Sequence, residues 1–155
     1  MECYEGATMI KTFRGLMPDQ AQDTIILHTN DGATGYRIVK FQILSKEPFQ
    51  AGTVEHVIKV YKTSQSTIDD TVDFSDNRLL GVATWHETSD LDESGYGSII
   101  FDNEIFNQDI YVTHSETSGA KPCNYYLELE QVKLDLSENT VATLKNIRNL
   151  EAGIP

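Results

Sequence analysis

An antiparallel β-sandwich of seven or eight short strands, jelly-roll-like in its class, is the architecture to which this 155-residue sequence points. Apolar residues recur mostly at period two, the spacing of strands that bury one face. Clusters of Gly, Asn, Asp and Ser interrupt that pattern at short intervals, and almost no segment carries the helical period. No repeat of about 20 to 50 residues divides the chain, so residues 1–155 are expected to form a single all-β domain.

Residues 1–22 read as an extended N-terminal arm; within it "ATMIKTFRGLMPDQ" could lie on a neighbouring subunit or serve as an edge strand of the chain's own sheet. "DTIILHT" is the first clear strand, and "NDGATG" after it supplies Asn30, Asp31, Gly32 and Gly35 for a turn into "YRIVKFQILS". Alternation in this second strand puts Val39, Phe41 and Ile43 on one side and Lys40 and Gln42 on the other, and the two strands are expected to form a hairpin. "VEHVIKVYK" groups Val54, His56, Ile58 and Val60 on one face, with Glu55, Lys59 and Tyr61 opposite. The polar stretch "TSQSTIDDTVDFSDN" leads to the strand "LLGVATWHE", and "SDLDESGYGS" leads from it to "GSIIFDN". "QDIYVTH" and the long "NYYLELEQVKLDL" follow. In the long strand Tyr125, Leu127 and Leu129 share one parity while Val132, Leu134 and Leu136 share the other, which predicts a β-bulge near Glu130 and Gln131. The tail "SENTVATLKNIRNL" changes period and fits a short C-terminal helix capped by Ser137 or Asn139, with a strand as the alternative.

Composition excludes several function classes. With 24 acidic against 12 basic residues the net charge is −12, and the basic residues are scattered, so neither nucleic acid nor an anionic membrane is an expected partner. Cys3 and Cys123 do not make a disulfide framework and read as reduced, structural thiols. No apolar run reaches the length of a membrane span, and "MECYEGATMIK" has Glu2 and Glu5 where a signal peptide would have a basic start and an apolar core, so synthesis in a cytoplasm is expected, with retention there or assembly there into something larger.

Chemistry is sparse. Asp90, Asp92, Ser94 and Gly95 follow the spacing that opens a calcium loop, yet the twelfth position from Asp90 is Phe101 rather than a carboxylate. The same letters suit an outward hairpin loop, so these three side chains are weak metal candidates and no cofactor is expected. His28, His56, His86 and His114 stand singly near strands, without His-x-His or H-E-x-x-H spacing. Only folding could gather them. No nucleophile elbow, phosphate-binding glycine loop or dinucleotide fingerprint is present, and an enzyme is not expected. Trp85 with Tyr96, Tyr111, Tyr125 and Tyr126 could form an aromatic platform for a sugar, or fill a core or a subunit contact.

The stretches "IKTFRGLMPDQAQDTIILHTNDG", "IIFDNEIFNQDIYVTH" and "CNYYLELEQVKLDLSENTVATLKNIRN" resemble small virion structural proteins of marine tailed bacteriophages. The resemblance spans residues 10–149 and is weakest over 64–96. It implies an all-β protein on the capsid exterior, made in the host cytoplasm, that decorates or cements the major capsid protein lattice and associates with copies of itself as a dimer or trimer. It carries no catalytic residue. Charge fits this role, since a strongly acidic outer face keeps crowded particles soluble. Contact candidates are Phe13, Arg14, Leu16 and Met17 in the arm and Lys145 and Arg148 in the tail. The alternative is a glycan or host-surface binding module on a tail or fibre, with Trp85 and Tyr96 as contacts.

Overall fold

The computed structural model describes residues 9–48, 52–88 and 97–135, and within them the regular structure is entirely β. Eight strands follow in order: β1 (Ile10–Met17), β2 (Gln22–Ile25), β3 (Thr34–Ser45), β4 (Val54–Tyr61), β5 (Leu79–Glu87), β6 (Ile99–Phe101), β7 (Ile110–Glu116) and β8 (Cys123–Lys133). A three-stranded sheet of order β1-β8-β3 packs on a five-stranded sheet of order β2-β7-β4-β5-β6, and every pairing is antiparallel. The molecule is therefore an antiparallel β-sandwich. Among the described residues no helix is long and apolar enough to cross a membrane.

The period-two pattern explains the core. From the small sheet Met17, Ile38, Phe41, Ile43, Tyr125, Leu127 and Leu129 point inward; from the large one come Ile25, Ile58, Val60, Leu80, Ala83, Ile110 and Val112. Burying each large aliphatic or aromatic chain contributes about 1.5–3 kcal/mol, so these two inner faces hold the layers together. Tyr36 and Phe106 exchange backbone hydrogen bonds at 2.8 and 2.9 Å, tying β3 to the segment before β7.

Three expectations are corrected and one open choice is decided. The predicted hairpin between "DTIILHT" and "YRIVKFQILS" does not form: β2 pairs with β7 and β3 with β8, so the Asn30–Gly35 turn carries the chain from one sheet to the other. The bulge lies in β3 rather than in β8, where the register steps from Ile38–Leu129 to Lys40–Glu128 and leaves Val39 as the extra residue. Val39 is thereby turned outward while Ile38 and Phe41 both reach the core. Residues 10–17 are an edge strand of the chain's own sheet, paired along their length with β8, which decides between the two readings of the arm. Strand β4 is central, and it buries Lys59 and Tyr61 as well as its apolar parity. Lys59 Nζ, on the side away from the small sheet, donates to Asp69 Oδ1 at 3.0 Å and to the Thr71 carbonyl at 2.7 Å, so the polar 63–78 segment folds back over that face.

The strand pair flanking "SDLDESGYGS" forms as expected, with Gly81, Val82 and Ala83 of β5 opposite Phe101, Ile100 and Ile99 of β6. Asp90, Asp92, Ser94 and Tyr96 lie outside the described residues, as do Cys3, Lys145, Arg148 and the helix expected in the tail.

Candidate functional site

Two places gather polar chemistry: an open groove bordering the small sheet, and a sealed cluster at the end of the sandwich where β1 and β8 meet β4 and β7.

The groove, about 710 Å³, is lined by Arg14, Gly15 and Leu16 of β1, Gln42, Ile43 and Leu44 of β3, Trp85 of β5, and Asn124, Tyr125 and Tyr126 of β8. Strand register builds it, because Arg14, Tyr126 and Gln42 form one cross-strand row and Leu16, Asn124 and Leu44 another. Alternation turns both rows outward, leaving Leu16 and Leu44 46% and 47% exposed. Lys40 Nζ sits 5.6 Å from the Tyr126 ring centre, and the Tyr126 hydroxyl donates to Glu128 Oε1 at 2.8 Å.

The contact candidates divide here. Arg14 and Leu16 face outward from β1, whereas Phe13 is half-buried against the core and Met17 is fully buried. Met17 is thus removed from the surface set, because it occupies the inward parity opposite Cys123. Trp85 is half-buried against the core and lines the groove, and its indole Nε1 is sealed without a hydrogen-bond partner among the described residues. Tyr125 is buried and its hydroxyl donates to Asp23 Oδ2 at 3.2 Å. Burial is the main cause that raises the Tyr125 pKa, with the Asp23 charge adding to it.

The sequence reading did not single out Gln42, Leu44 and Asn124, nor a second exposed apolar group at the edge strand β6: Ile99, Ile100 and Phe101, with Phe74 lining the same hollow as Ile100 and Phe101. The three consecutive apolar residues of "SIIF" were the available signal, since period two sends at least one of them outward.

The sealed cluster joins residues far apart in the chain. His56 of β4 and His114 of β7 are 1% and 0% exposed, and Cys123 at the start of β8 is 0% exposed. One potential metal-ligating atom from each lies within 4.8 Å of the others. Hydrogen bonding fixes the tautomers. His114 Nδ1 is 2.9 Å from the Pro18 carbonyl, which can only accept, so Nδ1 carries the hydrogen and Nε2 of the neutral ring is bare. His56 Nδ1, 2.9 Å from that bare nitrogen, must then be the donor. Its own Nε2 is left to accept from the Ser45 hydroxyl at 3.3 Å. Burial, and then the neighbouring His114, push the His56 pKa down to about 4, so the ring is neutral near pH 7. Burial likewise pushes the Cys123 thiol up to about 12.

The Pro18–Ala21 corner holds this arrangement where the chain crosses between the sheets. Gln20 adopts φ 61°, a left-handed conformation that is strained for a side chain of its kind. Its amide donates to the His114 carbonyl at 2.9 Å, His114 N donates to the Ala21 carbonyl at 3.1 Å, and Gln20 Nε2 donates to Ser115 Oγ at 3.1 Å. The other two histidines stay apart: His28 pairs with Asp109 at 2.7 Å and His86 lies 3.5 Å from Glu55.

A scan against protein-family models and a search of curated proteins both return no match for this chain.

Proposed function

We propose that this chain is a non-enzymatic virion structural protein that decorates or cements the exterior of a phage capsid, contacting the major capsid protein and further copies of itself. The observation that carries this reading is the outer face of the small sheet. There Ile10, Leu16, Val39 and Leu44 are 39–47% exposed on a chain whose net charge is −12. Apolar chains displayed together on an acidic molecule supply a surface that gains from being covered, while the remaining surface resists non-specific association. Arg14 and Tyr126 between them are the residue types that dominate contact energies. The outer edge of β1 supports the reading too, because it pairs with no strand among the described residues and could extend a neighbour's sheet.

The test is to mix the purified protein with capsids stripped of it and measure stoichiometric binding and the capsids' resistance to heat. Saturable binding that Leu16→Asp with Leu44→Asp abolishes, in a variant that keeps its fold by circular dichroism, is the expected result. Binding unchanged in that variant, or absent in the wild type, overturns it.

A second reading draws on the same groove. Trp85 and Tyr126 beside Arg14, Gln42 and Asn124 combine ring surface with hydrogen-bonding groups, the combination a glycan contact uses. Glycan-array binding lost on Tyr126→Ala and Trp85→Ala would favour a host-surface binding module on a tail or fibre over a cement protein.

A further inference from the structure

We propose that His56, His114 and Cys123 bind a thiophilic transition-metal ion, zinc or copper, that staples the two sheets of the sandwich together. The inference goes beyond the capsid reading and does not depend on it.

The donor set is the first ground. Two buried imidazoles and a buried thiol converge within 4.8 Å, a combination that suits zinc and copper and does not suit calcium or magnesium. Orientation is the second. A metal-binding histidine is normally aimed by a hydrogen bond from its outer ring nitrogen to a carbonyl or another polar group. His114 has that anchor in the Pro18 carbonyl at 2.9 Å, and its Nε2 points inward. His56 gains one in Ser45 Oγ, 3.3 Å from its Nε2, once its hydrogen moves to that nitrogen, and its Nδ1 points at His114 Nε2 from 2.9 Å. Both anchors sit on fixed elements, the strained Pro18–Ala21 corner and the last residue of β3.

An ion takes the place of the hydrogen shared by the two rings. With metal–nitrogen bonds of about 2.0–2.1 Å and tetrahedral angles the two nitrogens would stand about 3.3 Å apart, a small opening from the present 2.9 Å. The proton balance follows from the tautomers. His56 gives up its Nδ1 hydrogen and takes one at Nε2, where Ser45 Oγ accepts it, and Cys123 loses its thiol hydrogen. One proton is released for each ion bound. The ligands come from β4 and β7 of the large sheet and β8 of the small one, so the ion bridges the two layers directly. Met17 is fully buried and directly opposite Cys123 in the β1–β8 register, and a two-histidine, one-thiolate set joined by a weak thioether would lean toward copper.

The experiment uses the full chain, stripped with chelator under reducing conditions, freed of both reagents under inert gas, and then titrated separately with Co(II), as a spectroscopic stand-in for zinc, and with Cu(II). The expected result in at least one titration is one ion per chain, an intense thiolate-to-metal charge-transfer band and an upward shift in Tm. A response to cobalt alone assigns a zinc-type site; a strong copper band assigns a copper site. Cys123→Ser should remove the band, whereas Cys3→Ser should keep it. Because Cys123→Ser could fail to fold, X-ray absorption of the wild-type complex supplies a second readout, with one sulfur and two imidazole nitrogens expected around the metal. A shell of nitrogen and oxygen only, as surface binding at His28–Asp109 or His86–Glu55 would give, overturns the proposal, as does a band that depends on Cys3 or no binding at all.

Discussion

His56 Nδ1 donates to His114 Nε2 across 2.9 Å inside a sandwich where both rings are almost fully buried. Neutrality is what makes this contact favourable, because a proton added to His56 would be desolvated and would face the dipole and the partial charge of a second imidazole. Glu116 and Asp19 pull the other way and Lys121 adds to the repulsion, and the balance leaves the His56 pKa at about 4.

The metal-free protein should therefore lose stability on mild acidification. The unfolded chain takes up a proton at His56 near its ordinary pKa of about 6.5, while the folded chain refuses it until about pH 4. The folded value is the depressed one, so stability is complete above the unfolded pKa and falls as pH drops toward the folded one. The slope from this residue is about 1.4 kcal/mol per pH unit across that window. Urea unfolding at a series of pH values from 8 to 4 checks it, and His56→Gln should flatten the same stretch of the curve.

Lys59 is 3% exposed and its ammonium reaches Asp69 and the Thr71 carbonyl. Lys59→Met keeps the packed stem and removes the anchor. The global change should be within about 1.5 kcal/mol, because the partner left behind, Asp69, is half exposed and stays hydrated rather than becoming an uncompensated buried charge. The 63–78 segment should nonetheless open more readily and be cleaved faster in limited proteolysis at native conditions. Equal cleavage rates in the two proteins would mean the segment is held by other contacts.

Gly97 is required by a close approach. A Cβ there would sit 1.7 Å from the Thr84 carbonyl oxygen and 2.6 Å from its carbon, both backbone atoms that cannot swing aside. Thr84 N donates to the Ser98 carbonyl at 2.9 Å and Ser98 N to Thr84 Oγ1 at 3.0 Å, so the clash falls where β5 and β6 are pinned together. Gly97→Ala should destabilise the protein by more than about 2 kcal/mol and raise amide exchange in β6 before it does so in β8.

Much of this fold could be read from residue pattern because most strands bury one face. "LLGVATWHE" is β5 to the residue, and Tyr125, Leu127 and Leu129 line the core as their parity requires. The lost hairpin has a physical cause. Asn30, Asp31 and Gly32 state that the chain reverses there, but turn chemistry does not say whether the next strand pairs with the last or crosses to the facing sheet. Period two also assumes one wet face, and it misjudged Lys59 because a polar segment returns to cover β4. The histidine and cysteine cluster was illegible for a related reason: His56 and His114 are 58 residues apart, and only the β4–β7 pairing, with Ile58 opposite His114, brings them together. Short-range metal spacing reports ligands on one loop or one helix, and this site draws on three strands.

Glu116 ends β7 as a buried carboxylate, 4% exposed, that organises three backbone segments. Its Oε1 accepts from Glu55 N at 3.0 Å, from Ser118 N at 3.1 Å and from the Ser118 hydroxyl. Burial works to raise its pKa, but the hydrogen bonds from Ser118, Glu55 and Lys121 outweigh it and the net shift is downward. Glu116→Ala would leave the Glu55 and Ser118 amides without that acceptor; Ser118 is exposed, so water can partly replace it there, and the loss should be about 1–2 kcal/mol. Glu116→Gln retains one acceptor oxygen and should lose less. Because the folded carboxyl has the lower pKa, its contribution is present above the unfolded value and disappears as pH falls through the folded one. The wild-type protein should therefore show a second acid loss that begins below about pH 4.5, as the His56 window closes, and continues beneath it. Chemical unfolding of both variants at pH 7 and pH 3 checks the assignment: the gap between wild type and Glu116→Gln should narrow at the lower pH, where the native carboxylate is itself being protonated.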